Sequence, residues 1–400
     1  MRAIGRAACA VLAAAACGCT GPFAGTGADS VNRLVFVDLE GRVVTAAPDG
    51  SEPTVVSADG EAGFQPVWSP DGGHVAYVAQ GGGVSVADLD TGSLLQVTTD
   101  VQPFYLHWSP GGERIAALRN SAEGIALELV EVASDGLDTE VVDTGQPYYF
   151  SWQPDGDRLV VHVGADRLDL LDPSGETEEL GVPPGTFQAP HWAEPGIVAT
   201  TSGDGGEELV LVGEDGDVEV LAEHSGLVTF AVDPTGQRVA VQSLGPGQGS
   251  ADDDGGITTT ALGAGGAADE LAANRLSVVD LDSGEVGTVT SEPAVAYFWS
   301  PDGERLLVLE LASPRELQWS VWSDGDLADG PSFAPPASWV RTFLPFYDQY
   351  ARSMTLWSPD GSAFAFPGRV GGDEGIWVHE VGDGTTSKVA DGTWVAWSHQ

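Results

Sequence analysis

The stretch "WSPDG" at positions 68–72 recurs at 299–303 and again at 357–361. Near-copies fill the gaps: "WSPGG" from Trp108, "WQPDG" from Trp152, "WAEPG" from Trp192, "VDPTG" from Val232 and "WSHQ" from Trp397. Successive anchors stand 40, 44, 40, 40, 67, 58 and 40 residues apart. A spacing that keeps returning to the same value marks a repeat architecture, in which stacked units share one continuous core.

The unit that begins at Phe64 shows what is repeated. "FQPVW" (64–68) is a short apolar strand, and "SPDGG" (69–73) is a turn. Proline fixes φ at the first corner, and Asp-Gly accepts the positive φ that follows. "HVAYVA" (74–79) and "VSVAD" (84–88) are a second and third strand, "LDTG" (89–92) is another turn, and "LLQVT" (94–98) is a fourth strand. Four short strands rich in β-branched and aromatic residues, joined by tight turns, make one antiparallel sheet. The same reading fits 148–181, 188–222 and 353–390, where the first strand of the last unit is "SMTLW" (353–357). The strongest hint of a helical period is a short one at 267–273.

The two ends are incomplete in complementary ways. Residues 33–57 supply strands two, three and four without a first, and 393–397 supply a first strand with nothing after it. Joined, they make one unit, and a ring closed in this way leaves no exposed sheet edge at either end. The expectation is an all-β, eight-bladed β-propeller over residues 33–400, with seven blades as the alternative because two spacings are wide.

An apolar strand, then W-S-P-D-G, then a strand such as "VAYVA", then "VVDLDSG" (278–284), resembles the WD-repeat-like propeller repeat of TolB-type proteins, which also occurs in propeller domains of prolyl-oligopeptidase-type peptidases. The resemblance covers nearly all of 33–400 and is to the repeat, since TolB-type propellers commonly have six blades. It implies an extracytoplasmic interaction module. Propellers host binding, scaffolding and catalysis alike, so the repeat itself says how the ring is built.

Charge and cysteine placement narrow the function. The chain carries 60 Asp and Glu against 16 Lys and Arg, a net charge of −44. So acidic a surface repels nucleic acid and anionic lipid headgroups. Because the acidity runs along the whole chain, it reads as a solubility device rather than a cation-binding block. All three cysteines, Cys9, Cys17 and Cys19, fall in the first 19 residues, so the body has no disulfide, no cysteine nucleophile and no thiolate metal site. Residues 1–19 read as an export signal: Arg2 and Arg6, then an apolar run, then small residues. The "AAACGC" at its end resembles the lipobox of bacterial lipoproteins, which implies lipidation of Cys17 or Cys19, although the leucine preferred three residues earlier is missing in both registers. Residues 20–32 would form a flexible tether. The alternative is an ordinary cleaved signal and a secreted or periplasmic protein.

Departures from the repeat are where a specific function could reside. Residues 245–274 expand the loop between strands two and three of the sixth blade, and 331–353 expand the link between the seventh and eighth. In a propeller both kinds of connection emerge on one face. The first insertion is Gly-, Ala- and Asp-rich and reads as a solvated acidic loop, with Asp252, Asp253 and Asp254 too sparsely supported for a calcium site. The second gathers Trp339, Arg341, Phe343, Phe346, Tyr347, Tyr350 and Arg352. Trp, Tyr and Arg dominate binding hot spots, so these seven are candidate partner-binding residues; equally, the aromatics could tuck the loop onto the ring as a small core. The "DLDTG" (88–92) and "DLDSG" (280–284) stretches sit at hairpin corners and read as turns. His107 and His191 each precede a repeat tryptophan, in blades that are not neighbours, and read as structural histidines.

There is no G-x-S-x-G, H-E-x-x-H or phosphate-cradling loop. No cofactor, metal or catalytic residue is assigned. The leading reading is a non-catalytic, exported, lipid-anchored propeller that binds a protein or envelope component. The alternatives are an extracytoplasmic enzyme on glycans or peptides using channel carboxylates, and a ligand-sensing accessory subunit of a membrane signalling or transport system.

Overall fold

The computed structural model describes residues 32–99, 101–203, 206–224, 226–244 and 275–399. Eight small antiparallel sheets form a closed ring. Blade 2 is typical, with strands Gly63–Trp68, His74–Ala79, Val84–Asp88 and Leu94–Val97 ordered from the channel outward. Blade 1 takes Leu34–Val37, Val43–Ala46 and Thr54–Val55 from one end of the chain and its inner strand, Trp394–Trp397, from the other. Leu34 pairs with Trp397 and Val37 with Trp394, so the ring is closed by residues from opposite ends of the chain. Eight blades are present, not seven.

The repeat's five residues do the same job in each full copy. In blade 2 the Ser69 amide bonds the His74 carbonyl, and the Ser69 hydroxyl donates to Asp71 Oδ1 at 2.6 Å. Gly72 closes the turn at φ 68°, a conformation that carries no Cβ penalty only for glycine. Ser300 with Asp302 and Gly303, and Ser358 with Asp360 and Gly361, repeat the arrangement. The tryptophan before the turn locks blade to blade. Trp299 Nε1 donates to the Ala231 carbonyl at 2.9 Å, Trp357 Nε1 to Phe298 at 3.0 Å, and Trp152 Nε1 to His107 at 3.3 Å. Each acceptor stands one residue before the matching anchor of the preceding blade, so in these copies one hydrogen bond ties blade to blade in the same register.

The "DLDTG" turn is a turn. Asp88 Oδ1 accepts the amides of Asp90 and Thr91, and Asp280 Oδ1 accepts that of Ser283. These carboxylates are spent on their own corners.

Blade 8 departs from expectation. Its strands are Ala363–Val370, Asp373–Glu380 and Thr386–Ala390, and "SMTLW" pairs with them only through the bridge of Trp357 with Phe364. The chain reaches that position straight from the preceding insertion, which holds it away from the sheet. The insertion itself is helical: α1 (Ala337–Thr342), a single 3-10 turn (Leu344–Phe346) and α2 (Tyr347–Tyr350). Elements this short are set by packing rather than by intrinsic helix stability. The residues read as signal and tether (1–19 and most of 20–32) and the 245–274 insertion, with its helical hint at 267–273 and its three aspartates, lie outside the described residues.

Candidate functional site

A propeller's inner strands leave their edges facing a central channel, and unpaired amides and carbonyls on such edges need partners. The outer strand of blade 7 runs on to Phe333, so the insertion begins later than position 331, and its helical part from Ala337 enters the channel and supplies them. Gln349 takes the Phe150 amide and carbonyl of blade 4, each at 3.0 Å, and its Nε2 also reaches Tyr105 Oη. Tyr105 Oη donates in turn to the Gln349 carbonyl at 2.8 Å, and Tyr350 Oη donates to the Phe104 carbonyl of blade 3. Around these bonds Trp339 stacks on Phe343 at 5.0 Å, Phe343 meets Phe298 and Trp394, Tyr347 meets Tyr297, and Tyr350 meets Tyr105 at 4.9 Å. The insertion is a plug anchored to blades on every side.

This placement sorts the seven residues singled out from sequence. Trp339, Phe343, Tyr347 and Tyr350 are buried and belong to the plug's core, the second of the two readings. Arg341 and Phe346 are exposed. Arg352 is half-buried and points into a cavity on the far side of the plug.

That cavity measures about 520 Å3 and opens between the turns that follow the inner strands, at Pro110, Pro154, Pro234 and Pro301. Its wall is written in the repeat. The residue before each anchor is His107, Ser151, His191, Ala231, Phe298 or Leu356 in blades 3 to 8, and all six line it. Blades 3 and 5 are not neighbours, yet His107 and His191 share this space, because every inner strand borders one channel. The phase of the repeat carried that signal, and reading the histidines pairwise by blade adjacency missed it. His399 joins them from the position that proline occupies in other copies.

The electrostatics follow from burial. Removal from water pushes the Arg352 guanidinium down to about 10. Its hydrogen bonds go to the backbone carbonyls of Phe150, Ala189 and Pro190, and among the described residues it forms no ion pair. Burial raises the Asp348 carboxyl, and nearby Arg352 partly opposes that shift. His107 is pushed down to about 3 by burial and by the charge of Arg352, His191 lies well below its ordinary value for the same reasons, and burial takes His399 to about 4. All three imidazoles are therefore neutral at pH 7. No trio of His, Cys, Asp or Glu among the described residues is arranged to hold a metal ion.

A second hollow, of about 430 Å3, lies on the plugged face between the plug's Ser338 and Thr342 and the rims of blades 1 to 3. Leu39 (64% exposed) and Phe64 (40% exposed) stand at its edge, with Phe104 and Trp394 along it. No helix among the described residues is long and apolar enough to cross a membrane.

No family model matches the chain, and no curated protein matches it. Many solved structures share the fold. The dihydro-heme d1 dehydrogenase NirN, in complex with DHE, aligns with a TM-score of 0.60 at 13% identity, over 92% of this chain and 76% of its own. A eukaryotic initiation factor aligns at 0.57 and 11% identity, over 92% and 98%. TolB from Acinetobacter baumannii is also among them, at 0.41 and 14% identity, over 76% of this chain and 65% of its own. At such identities the likeness shows the fold alone, and the chain is an eight-bladed β-propeller.

Proposed function

We propose that the protein is a non-catalytic, extracytoplasmic binding propeller that docks an envelope protein on its plugged face. The groove edged by Leu39 and Phe64 carries this reading. In a chain of net charge −44, large apolar side chains left exposed around a concavity are the kind of surface that marks an interaction site. Arg341 and Phe346, exposed on the insertion that lines this groove with Ser338 and Thr342, are further candidate contacts. The non-catalytic reading is supported by how the channel groups are employed. A general acid or base works best with a pKa near the working pH, whereas His107 titrates at about 3. Arg352 is held in place by three hydrogen bonds to the ring's own carbonyls, and Asp233 at the mouth is paired with Arg238 at 3.3 Å.

Attachment to the membrane through lipid on Cys17 or Cys19, followed by the 20–32 tether, belongs to the same proposal and rests on the lipobox-like "AAACGC". Metabolic labelling with a fatty acid should be lost on Cys17→Ser or on Cys19→Ser, and labelling that survives both changes would remove the anchor.

The partner is tested by placing a photo-crosslinking amino acid at Phe64 in the native host. A discrete polypeptide adduct is expected, abolished by Leu39→Asp in a protein with an unchanged melting temperature. The control position is Val218, exposed on the outer strand of blade 5. The same adduct from Val218, or none from Phe64, would exclude docking at this groove.

A further inference from the structure

The cavity on the far side of the plug takes no part in that docking, and its chemistry points to a ligand of its own. At about 520 Å3 it falls in the roughly 300–1,000 Å3 range of small-molecule sites. Its floor holds two opposite charges four residues apart, Asp348 and Arg352, which do not form an ion pair with each other. The backbone holds each in place instead: Arg352 through the carbonyls of Phe150, Ala189 and Pro190, and Asp348 by accepting the Gln349 amide at 3.0 Å. Both charges are thus fixed, partly stripped of water and open to the cavity.

Beside Arg352 stand two neutral imidazoles, His107 and His191. His191 Nδ1 accepts the Val232 amide, which places the ring proton on Nε2. His107 Nδ1 is sealed without a partner, which leaves Nε2 as the nitrogen able to meet a ligand. The opposite wall is apolar, formed by Phe298, Leu356 and Trp357.

A simple anion would satisfy Arg352 but press against Asp348 in a strongly acidic protein; a simple cation would do the reverse. A molecule with both charges meets both groups and adds no net charge. We propose that this cavity binds a small zwitterion with an apolar body, of the class represented by an apolar α-amino acid. Its carboxylate faces Arg352 and the His191 Nε2–H, its ammonium faces Asp348, and its side chain lies against Phe298 and Leu356. This stands independently of the partner on the plugged face.

Calorimetric titration of the full chain with L-phenylalanine, 3-phenylpropionate and 2-phenylethylamine tests it. Phenylalanine should bind, and each singly charged analogue should bind about tenfold more weakly or worse, as expected when a charged hydrogen bond is lost. Asp348→Asn keeps the backbone contacts, and should weaken phenylalanine by about the same factor while tightening phenylpropionate, whose carboxylate it no longer repels. Equal affinity for phenylpropionate and phenylalanine would replace the zwitterion with a plain anion site. The absence of both heat and a melting shift with phenylalanine at millimolar concentration would overturn the proposal outright.

Discussion

Gln349 of the plug meets Phe150 of blade 4 as a neighbouring strand would: its Oε1 accepts the Phe150 amide and its Nε2 donates to the Phe150 carbonyl, both at 3.0 Å. One side chain, 2% exposed, thereby closes the edge of an inner strand. Truncation would leave a buried donor and a buried acceptor unpaired, each costing about 1–3 kcal/mol. Gln349→Ala should therefore lower unfolding stability by about 3 kcal/mol in urea titration. Gln349→Met restores the volume without either bond and should lose nearly as much. Recovery by methionine would make the contribution one of packing.

The repeat tryptophans differ in a way that stability measurements can read. Trp299 Nε1 is bonded to Ala231 and its ring lies 5.1 Å from the Arg238 guanidinium. Trp108 is as deeply set, but its Nε1 has no partner among the described residues. Changing either to Phe removes similar volume, while only Trp299→Phe orphans an interblade carbonyl. The two losses should differ by about 1 kcal/mol, with Trp299→Phe the worse. Equal losses would show that packing alone joins the blades.

Within the plug, Phe343 is fully buried against Trp339 and Phe298, whereas Phe346, three residues on, is 46% exposed. Phe343→Ala opens a cavity in the channel core and should cost about 3–5 kcal/mol. Phe346→Ala should stay within about 0.5 kcal/mol of wild type and, if the docking proposal holds, reduce partner crosslinking from Phe64. Equal stability of the two variants would mean that the plug is not part of the core.

These side chains show where sequence is informative. Strand count, turn positions and ring closure are legible because they are local: Asp-Gly corners, β-branched runs and ends that complete each other. The fate of 331–353 is not. Trp339, Phe343 and Tyr347 have the same composition whether they meet a partner or a channel, and helical turns of four to six residues leave no period to detect. The eighth blade's missing inner strand follows from the plug, since residues leaving the channel at Ser353 cannot also run along the sheet edge. The cavity wall was legible in principle through the residue before each anchor, provided the repeats were aligned in phase and not compared two blades at a time.

The neutral histidines of the cavity make stability depend on pH. His107 takes up a proton at about 3 in the folded chain and near 6.5 when unfolded. Between those values the unfolded state binds more protons, so this contribution is intact above about pH 6.5 and is lost as pH falls toward 3. His399, at about 4, acts in the same direction over a narrower window, and the depressed His191 also acts in that direction. Asp348 has the opposite sign: its carboxyl is raised by burial, so protonation favours the folded state as pH falls. Comparing wild type with His107→Gln isolates one of these contributions. Melting temperatures followed from pH 7 to pH 4 should run at a constant separation near neutrality, with the variant gaining on wild type as acid is added. Curves that stay parallel throughout would mean that His107 is open enough to water to protonate freely in the folded ring.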